Sequence, residues 1–219
     1  MSAVGGDTFG FADDGFAPLD NGTTVLLTGD DSEALERVFY RLSAGRGEES
    51  TVVLSTNDDA RSVQRGLDDV ASGAGGRTRV LATEGPDRDD DVTRVADLTD
   101  LTSLGMEFSA AVTDVQATGG RFRAGILVAS SILEAVEDTR SVYRFLNANF
   151  LNQFRRGDGV GVCAVDTGTE FGAGTASTVA GLETSFGCRV DVVEADRREA
   201  TLDVSGLGAR DGEATLSLR

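Results

Sequence analysis

Apolar positions along the chain switch repeatedly between a strand-like and a helix-like period. Residues 23–28 (TTVLLT) form a short apolar run stopping at Gly29, and Ala34, Leu35, Val38, Phe39 and Leu42 then recur at helical spacing. Residues 51–56 (TVVLST) repeat the strand signal, and Val63, Leu67 and Val70 the helical one, before a Gly-rich break at 73–76. Residues 77–83 predict a third strand, 86–91 an acidic loop and 93–98 a short strand. Leu104, Phe108, Ala111, Val112 and Val115 mark a further helix.

The second half carries the strongest signals. Residues 122–129 (FRAGILVA) are a nearly continuous apolar strand. A long helix is expected over 132–156, with Ile132, Val136, Tyr143, Leu146, Phe150 and Phe154 in one stripe and Arg155 and Arg156 at the negative end of its dipole. Residues 159–166 (GVGVCAVD) predict another buried strand, and a Gly-rich connection leads to a short helix near 178–186. Runs 189–194, 199–204 and 213–218 alternate as an antiparallel meander does. Strands apolar on both faces, each followed by a helix, predict an α/β fold with a mainly parallel sheet flanked by helices. No linker divides the core, so one domain is expected over 21–219, behind a flexible acidic tail over 1–20.

Charge narrows the chemistry. The chain has 219 residues and a formal net charge of -17, from 37 acidic residues against 20 basic ones, every one of them Arg. With no Lys and no His there is no conventional phosphate-loop lysine, Schiff base, imidazole triad or His-liganded zinc. An acidic, Lys-free surface is similar to that of proteins from salt-in halophilic archaea, where molar salt screens self-repulsion. Without a basic stripe, direct nucleic-acid binding is not expected. The acidic start lacks the basic region of a signal peptide, and no apolar run is long enough to span a membrane, so a cytoplasmic location is expected. Cys163 and Cys188 have no further cysteine partners and read as small core residues.

In open α/β sheets ligands bind beyond the carboxyl ends of strands, so the turn at Gly29 is the first place to look. Laying the phosphate-loop pattern G-x-x-x-x-G-K-[ST] on Gly29 puts Ala34 at the second Gly, Leu35 at the Lys and Glu36 at the magnesium-holding hydroxyl. Asp30 and Glu33 form a D-x-x-E capping pattern that would occupy the helix N–H groups internally, and the local carboxylates repel phosphate. Residues 121–146 carry a hydrophobic strand followed by Ala129-Ser130, then Val142-Tyr143-Arg144-Phe145-Leu146 downstream. Element order and these phrases resemble the KaiC/RadA branch of the RecA-like superfamily, a P-loop NTPase-type core, and in particular haloarchaeal members with degenerate nucleotide loops. The resemblance spans about residues 23–218, including Phe186-Gly187 before the closing meander.

That resemblance implies an Asp-Ser pair where Ala129-Ser130 stands, so the magnesium-supporting carboxylate is missing. It also implies a Glu-Glu pair beside the attacking water at the end of the second strand, where Asn57 and Asp58 stand; Asp58 is the one candidate water-activating residue, although an Asp58-Asp59 pair commonly caps a helix.

Other phrases carry less. Gly157-Asp158-Gly159-Val160-Gly161 contains G-x-G-x-G but precedes a strand, the wrong context for a dinucleotide fingerprint. Residues 168–174 (GTEFGAG) follow a strand and precede a helix, a phosphate-compatible context in which Asp166 and Glu170 add repulsion. Asp87, Asp89, Asp90 and Asp91 lack calcium-loop spacing. Arg37, Arg41, Arg61 and Arg65 sit at i,i+4 spacing and could face an acidic partner or pair with nearby acids. Phe9-Gly10-Phe11-Ala12 fits the F-x-x-A pattern by which RadA-like proteins dock a linker into a neighbouring subunit, or it belongs to a disordered acidic tail or to a flap packed on its own core.

The expectation is a catalytically inactive KaiC/RecA-like domain, with no cofactor and no metal, acting by protein contacts or self-association in signalling or regulation. An unconventional nucleotide-binding ATPase and a recombinase paralogue accessory to DNA repair are the alternatives.

Overall fold

The computed structural model describes residues 8–12, 15–84, 88–89, 91–118, 120–155, 159–171 and 174–219. Twelve strands and seven α-helices are described: β1 (Thr8–Phe9), β2 (Leu19–Asp20), β3 (Thr24–Gly29), α1 (Ser32–Ser43), β4 (Ser50–Ser55), α2 (Ala60–Val70), β5 (Thr78–Ala82), β6 (Arg88–Asp89), β7 (Val92–Arg94), α3 (Leu101–Ala117), β8 (Phe122–Leu127), α4 (Ser130–Ala135), α5 (Thr139–Phe145), α6 (Asn152–Phe154), β9 (Gly159–Asp166), α7 (Thr175–Glu183), β10 (Cys188–Ala195), β11 (Glu199–Ser205) and β12 (Gly212–Ser217).

Ten of the strands form one sheet in the order β12-β11-β10-β3-β9-β8-β4-β5-β7-β6. From β10 to β7 all pairs are parallel, while β11 and β12 close one edge and β6 the other with antiparallel pairs. The fold is therefore α/β, with a mostly parallel sheet between helical layers and a C-terminal antiparallel meander. The strand period of two explains the layering. Val25 and Leu27 of β3 and Val53 of β4 face α1 and α2 with Leu35, Val38, Phe39, Val63 and Leu67. Leu26, Val52 and Leu54 face the other way, onto Leu104, Phe108, Ile132, Phe145, Phe150 and Val179. Cys188 belongs to the first layer and Cys163 to the second, so the two thiols lie on opposite faces of the sheet. Burial pushes both up to about 12, leaving them inert neutral thiols.

Two local expectations are corrected. The single helix over 132–156 is broken: α4 ends at Ala135, and α5 starts afresh where Asp138 accepts from Arg140 N at 3.1 Å and from Ser141 Oγ at 2.8 Å. A π-helical stretch, Leu146–Leu151, then joins α5 to α6. It packs tightly on α3, since a Cβ on Gly105 would sit 2.5 Å from Asn149 Nδ2. The dipole role expected of Arg155 applies only to the last short turn, and Arg156 lies outside the described residues.

The second correction concerns the first twenty residues. In the described part of that segment β1 pairs with β2, and Phe9, Phe11, Phe16 and Leu19 are buried in the chain's own core. Three arginines hold its backbone: Arg121 donates to Thr8 O at 2.6 Å, Arg123 to Gly10 O at 2.6 Å and Arg46 to Phe11 O at 2.6 Å. The Arg121 guanidinium lies 3.8 Å over the Phe9 ring. Of the readings weighed for the F-x-x-A phrase, the structure shows the flap. Apolar side chains with a buried arginine beneath them outweighed the acidic, Gly-rich composition that reads as a tail.

Candidate functional site

The first core strand, β3, lies inside the sheet between β9 and β10, so its carboxyl end is where open α/β sheets bind ligands. Here the turn after it is minimal. Only Asp30 and Asp31 separate Gly29 from the first residue of α1. The cap is Asp31, not the Asp30 expected from the D-x-x-E pattern: Asp31 Oδ1 accepts from Ala34 N at 3.0 Å, which leaves Glu33 inside the first turn. Ala34, Leu35 and Glu36, the positions laid on a phosphate loop, all lie within the helix. Ala34 and Leu35 are buried, and a Cβ on Gly29 would stand 3.5 Å from Leu35 Cδ1 and 3.1 Å from Val192 Cβ. Side chains thus fill the space over Gly29.

Carboxylates stand on both flanking strands. Asp166, at the end of β9, accepts from Ser32 Oγ and, at 2.8 Å, from Gly168 N. Asp191 of β10 accepts from Thr28 Oγ1 and, at 2.7 Å, from Arg189, which also pairs with Glu183 at 3.1 Å. Both aspartates are tied to the protein, and both carry negative charge toward the place where an anion would sit. Asp166 is signalled in the sequence by a carboxylate ending the apolar strand run GVGVCAVD, whereas Asp191 lies inside its strand.

The end of β8 is the strained point. Val128 has φ 58, the one non-glycine residue with positive φ among the described residues, and β-branched side chains are rare in that conformation. Thr56 fixes it by donating through Oγ1 to Val128 O at 2.8 Å and Leu127 O at 3.1 Å. Ala129 and Ser130 follow, both buried, with Ala129 N donating to Ala164 O at 2.7 Å; Ser131 Oγ donates to Asn57 Oδ1 at 2.8 Å.

Asp58 sits on the other side of this edge. Its neighbour Asp59 is the cap of α2, accepting from Ser62 N at 3.0 Å. Burial chiefly, then Asp59 and Glu84, raise the Asp58 carboxyl above its ordinary range. Glu36 is raised too, by burial first and by Asp58 next, so the structure brings these two sequence candidates together. Glu36 faces a groove of about 530 Å³ between α1 and α2, lined also by Arg37, Tyr40, Arg41, Arg65 and Asp69 among others. The Gly66 backbone meets the Tyr40 ring so closely that a Cβ there would lie 2.4 Å from Cε2. Its hydroxyl is buried against Glu36 without completing a hydrogen bond of normal geometry.

The remaining phrases resolve into packing. Gly159 and Gly161 lie within β9 and leave room for the rings of Phe122 and Phe154, 2.6 and 2.5 Å from a built Cβ; Gly157 and Asp158 lie outside the described residues. In the 168–174 connection Thr175 Oγ1 donates to Thr169 O at 3.0 Å and Phe171 is buried. Asp87 and Asp90 lie outside the described residues, and no cluster of three metal-ligating side chains occurs among those described. Among them, too, no helix is long and apolar enough to cross a membrane.

Residues 22–192 match the family of unknown function DUF7504, and the chain belongs to that family. No curated protein matches it. Among solved structures it is similar to the uncharacterised protein PH0321 from Pyrococcus horikoshii, in complex with an unknown peptide. The identity is 13%, the TM-score 0.60, and 91% of this chain and 93% of that one are covered. It is also similar to PH0250 from Pyrococcus horikoshii OT3, at 11% identity and a TM-score of 0.56 over 89% of this chain and 92% of that one. At these identities the likeness is one of fold.

Proposed function

We propose that this chain is a RecA-like domain of the KaiC/RadA type that has lost nucleotide chemistry and works through contacts with other proteins, in signalling or regulation. One observation carries the reading: only two residues separate Gly29 from α1, with Asp31 on the helix's free N–H groups and Leu35 buried where a phosphate cradle would open. A triphosphate there would meet Asp30, Asp31, Asp166 and Asp191 and no lysine. The interior placement of β3 and the strand, helix and meander order support the RecA-like assignment. The unknown peptide bound by the Pyrococcus horikoshii protein of similar fold supports protein contact as the mode of action.

Thermal melts in molar KCl with and without millimolar Mg-ATP test it. A nucleotide at 100 times its dissociation constant adds about 2.7 kcal/mol to a folded domain. The expected outcome is an unchanged midpoint, and a rise of several degrees that disappears without magnesium overturns the reading.

A further inference from the structure

The groove between α1 and α2 reverses the charge balance of the chain. Arg37, Arg41, Arg65 and Arg219 line it against Glu36 and Asp69, whereas acids outnumber arginines 37 to 20 overall. Two of these guanidinium groups are held by neutral oxygens, while Asp196 feels Arg37 and Asp59 feels Arg65 only from beyond salt-bridge distance. Arg37 donates to the carbonyls of Asp196 at 3.1 Å, Arg197 at 2.8 Å and Leu218 at 3.0 Å. Arg65 donates to Arg61 O at 3.3 Å and Ser62 Oγ at 3.2 Å. Neither contacts a carboxylate within salt-bridge distance among the described residues. Such contacts orient a guanidinium group and leave its charge available.

We propose that this groove is a docking site for an acidic, extended peptide segment of a partner protein, gripped through a carboxylate by Arg65 and packed on the apolar surface beside it. The choice of occupant rests on charge complementarity and on the mixed lining. Tyr40, Val70 and Leu218 supply apolar surface that a lone phosphate would leave unused. The volume suits a few side chains. This inference rests on the protein-contact reading above and names the chemistry of the partner.

The test is fluorescence anisotropy with a labelled hexapeptide of alternating glutamate and leucine. About 0.3 M KCl holds the Debye length below 8 Å, so the distant acids of the protein are screened while the groove still acts at contact. Wild type is compared with Arg65→Glu and with Arg79→Glu, the latter on a separate surface where Arg79 pairs with Asp114. Expected is binding by wild type, at least about tenfold weaker binding by Arg65→Glu and no change for Arg79→Glu, a factor of ten being about 1.4 kcal/mol. Arg65→Ala replaces the glutamate variant should its melting midpoint show that it is not folded. Absence of binding to wild type, equal affinity of wild type and the Arg65 variants, or displacement of the probe by millimolar inorganic phosphate or by a short single-stranded oligonucleotide overturns the proposal. Any of these leaves the Mg-ATP melts untouched, whereas stabilisation by Mg-ATP overturns the inactive-domain reading and leaves the anisotropy data standing.

Discussion

Arg123, 1% exposed, is held in the core by Glu49, whose Oε2 lies 2.9 Å from its Nε, while its two terminal nitrogens reach Leu42 O at 3.0 Å and Gly10 O at 2.6 Å. One buried cation therefore ties together α1, the loop before β4 and the N-terminal segment. Burial pulls its pKa down and Glu49 pushes it back up. Breaking such a pair from one side strands a buried charge, which costs about 3–5 kcal/mol. Glu49→Ala is expected to destabilise by roughly 3 kcal/mol or more in urea titrations. Arg123→Met, which removes the charge itself, should cost less than the Glu49 variant, and the reverse order would contradict this account.

Gly66 tests packing against propensity. It lies in α2, where alanine is favoured over glycine by about 1 kcal/mol, yet a Cβ there would meet Tyr40 Cε2, Cδ2 and Cζ at 2.4 to 2.7 Å. Displacing a buried ring costs about 1–3 kcal/mol. Gly66→Ala should therefore lower the melting midpoint, and a higher midpoint would show that the ring can move aside freely.

Much of this arrangement was legible in the chain and some was not. The core strands and the two faces of the sheet follow from alternation, because a strand buried on both sides has to carry apolar residues at every position, as Val52, Val53 and Leu54 do. The break at Asp138 was hidden because Ile132 and Tyr143 continue one stripe across it, and only the Asp-Thr-x-Ser capping chemistry marks a new start. The α1–α2 groove is tertiary. Spacing shows Arg37 and Arg41 on one face of a helix, but nothing local says that Arg65 and Leu218 will stand opposite. Glu36 and Asp58, weighed as separate site positions, come within electrostatic range for the same reason.

The raised acids and the capping acids pull in opposite directions with pH. For Glu36 and Asp58 the folded pKa is above the unfolded one, so the folded protein takes up protons first and gains stability as pH falls from above the carboxyl range into it. For the caps Asp59, Asp100 and Asp138 the folded pKa is depressed, through hydrogen bonds from serines and the first-turn backbone, so their stabilisation is lost as pH falls below the ordinary range. Glu36→Gln should consequently raise the melting midpoint at neutral pH, with the two curves converging as the wild-type carboxyl becomes protonated. Parallel curves down to the carboxyl range would refute the assignment.

Stability should depend on salt. A formal charge of -17 on one domain is screened over about 3 Å in molar salt but only over about 30 Å at 0.01 M. The melting midpoint is expected to rise steadily from 0.1 to 3 M KCl, and a flat dependence would mean that the acids are spaced widely enough not to repel.

Removal of the N-terminal segment separates an integral part of the core from a dispensable arm. A chain starting at Asp20 loses the buried side chains of Phe9, Phe11, Phe16 and Leu19, and it deprives Arg123 of the Gly10 carbonyl and Arg46 of the Phe11 carbonyl. Burying one such side chain is worth about 1.5–3 kcal/mol, so the four together match much of the stability of a typical domain. The loss falls on the α1–α2 face, because these rings belong to the same cluster as Val38, Phe39 and Leu42. Arg123 would then be a core cation with one hydrogen bond fewer and water above it. The shortened chain is expected to lose most of its cooperative unfolding transition, or to melt more than about ten degrees below the full chain, since each kcal/mol shifts the midpoint of a domain this size by about 2–4 °C. Scanning calorimetry of both chains in 3 M KCl measures this, and coincident transitions would show that the core closes without the segment.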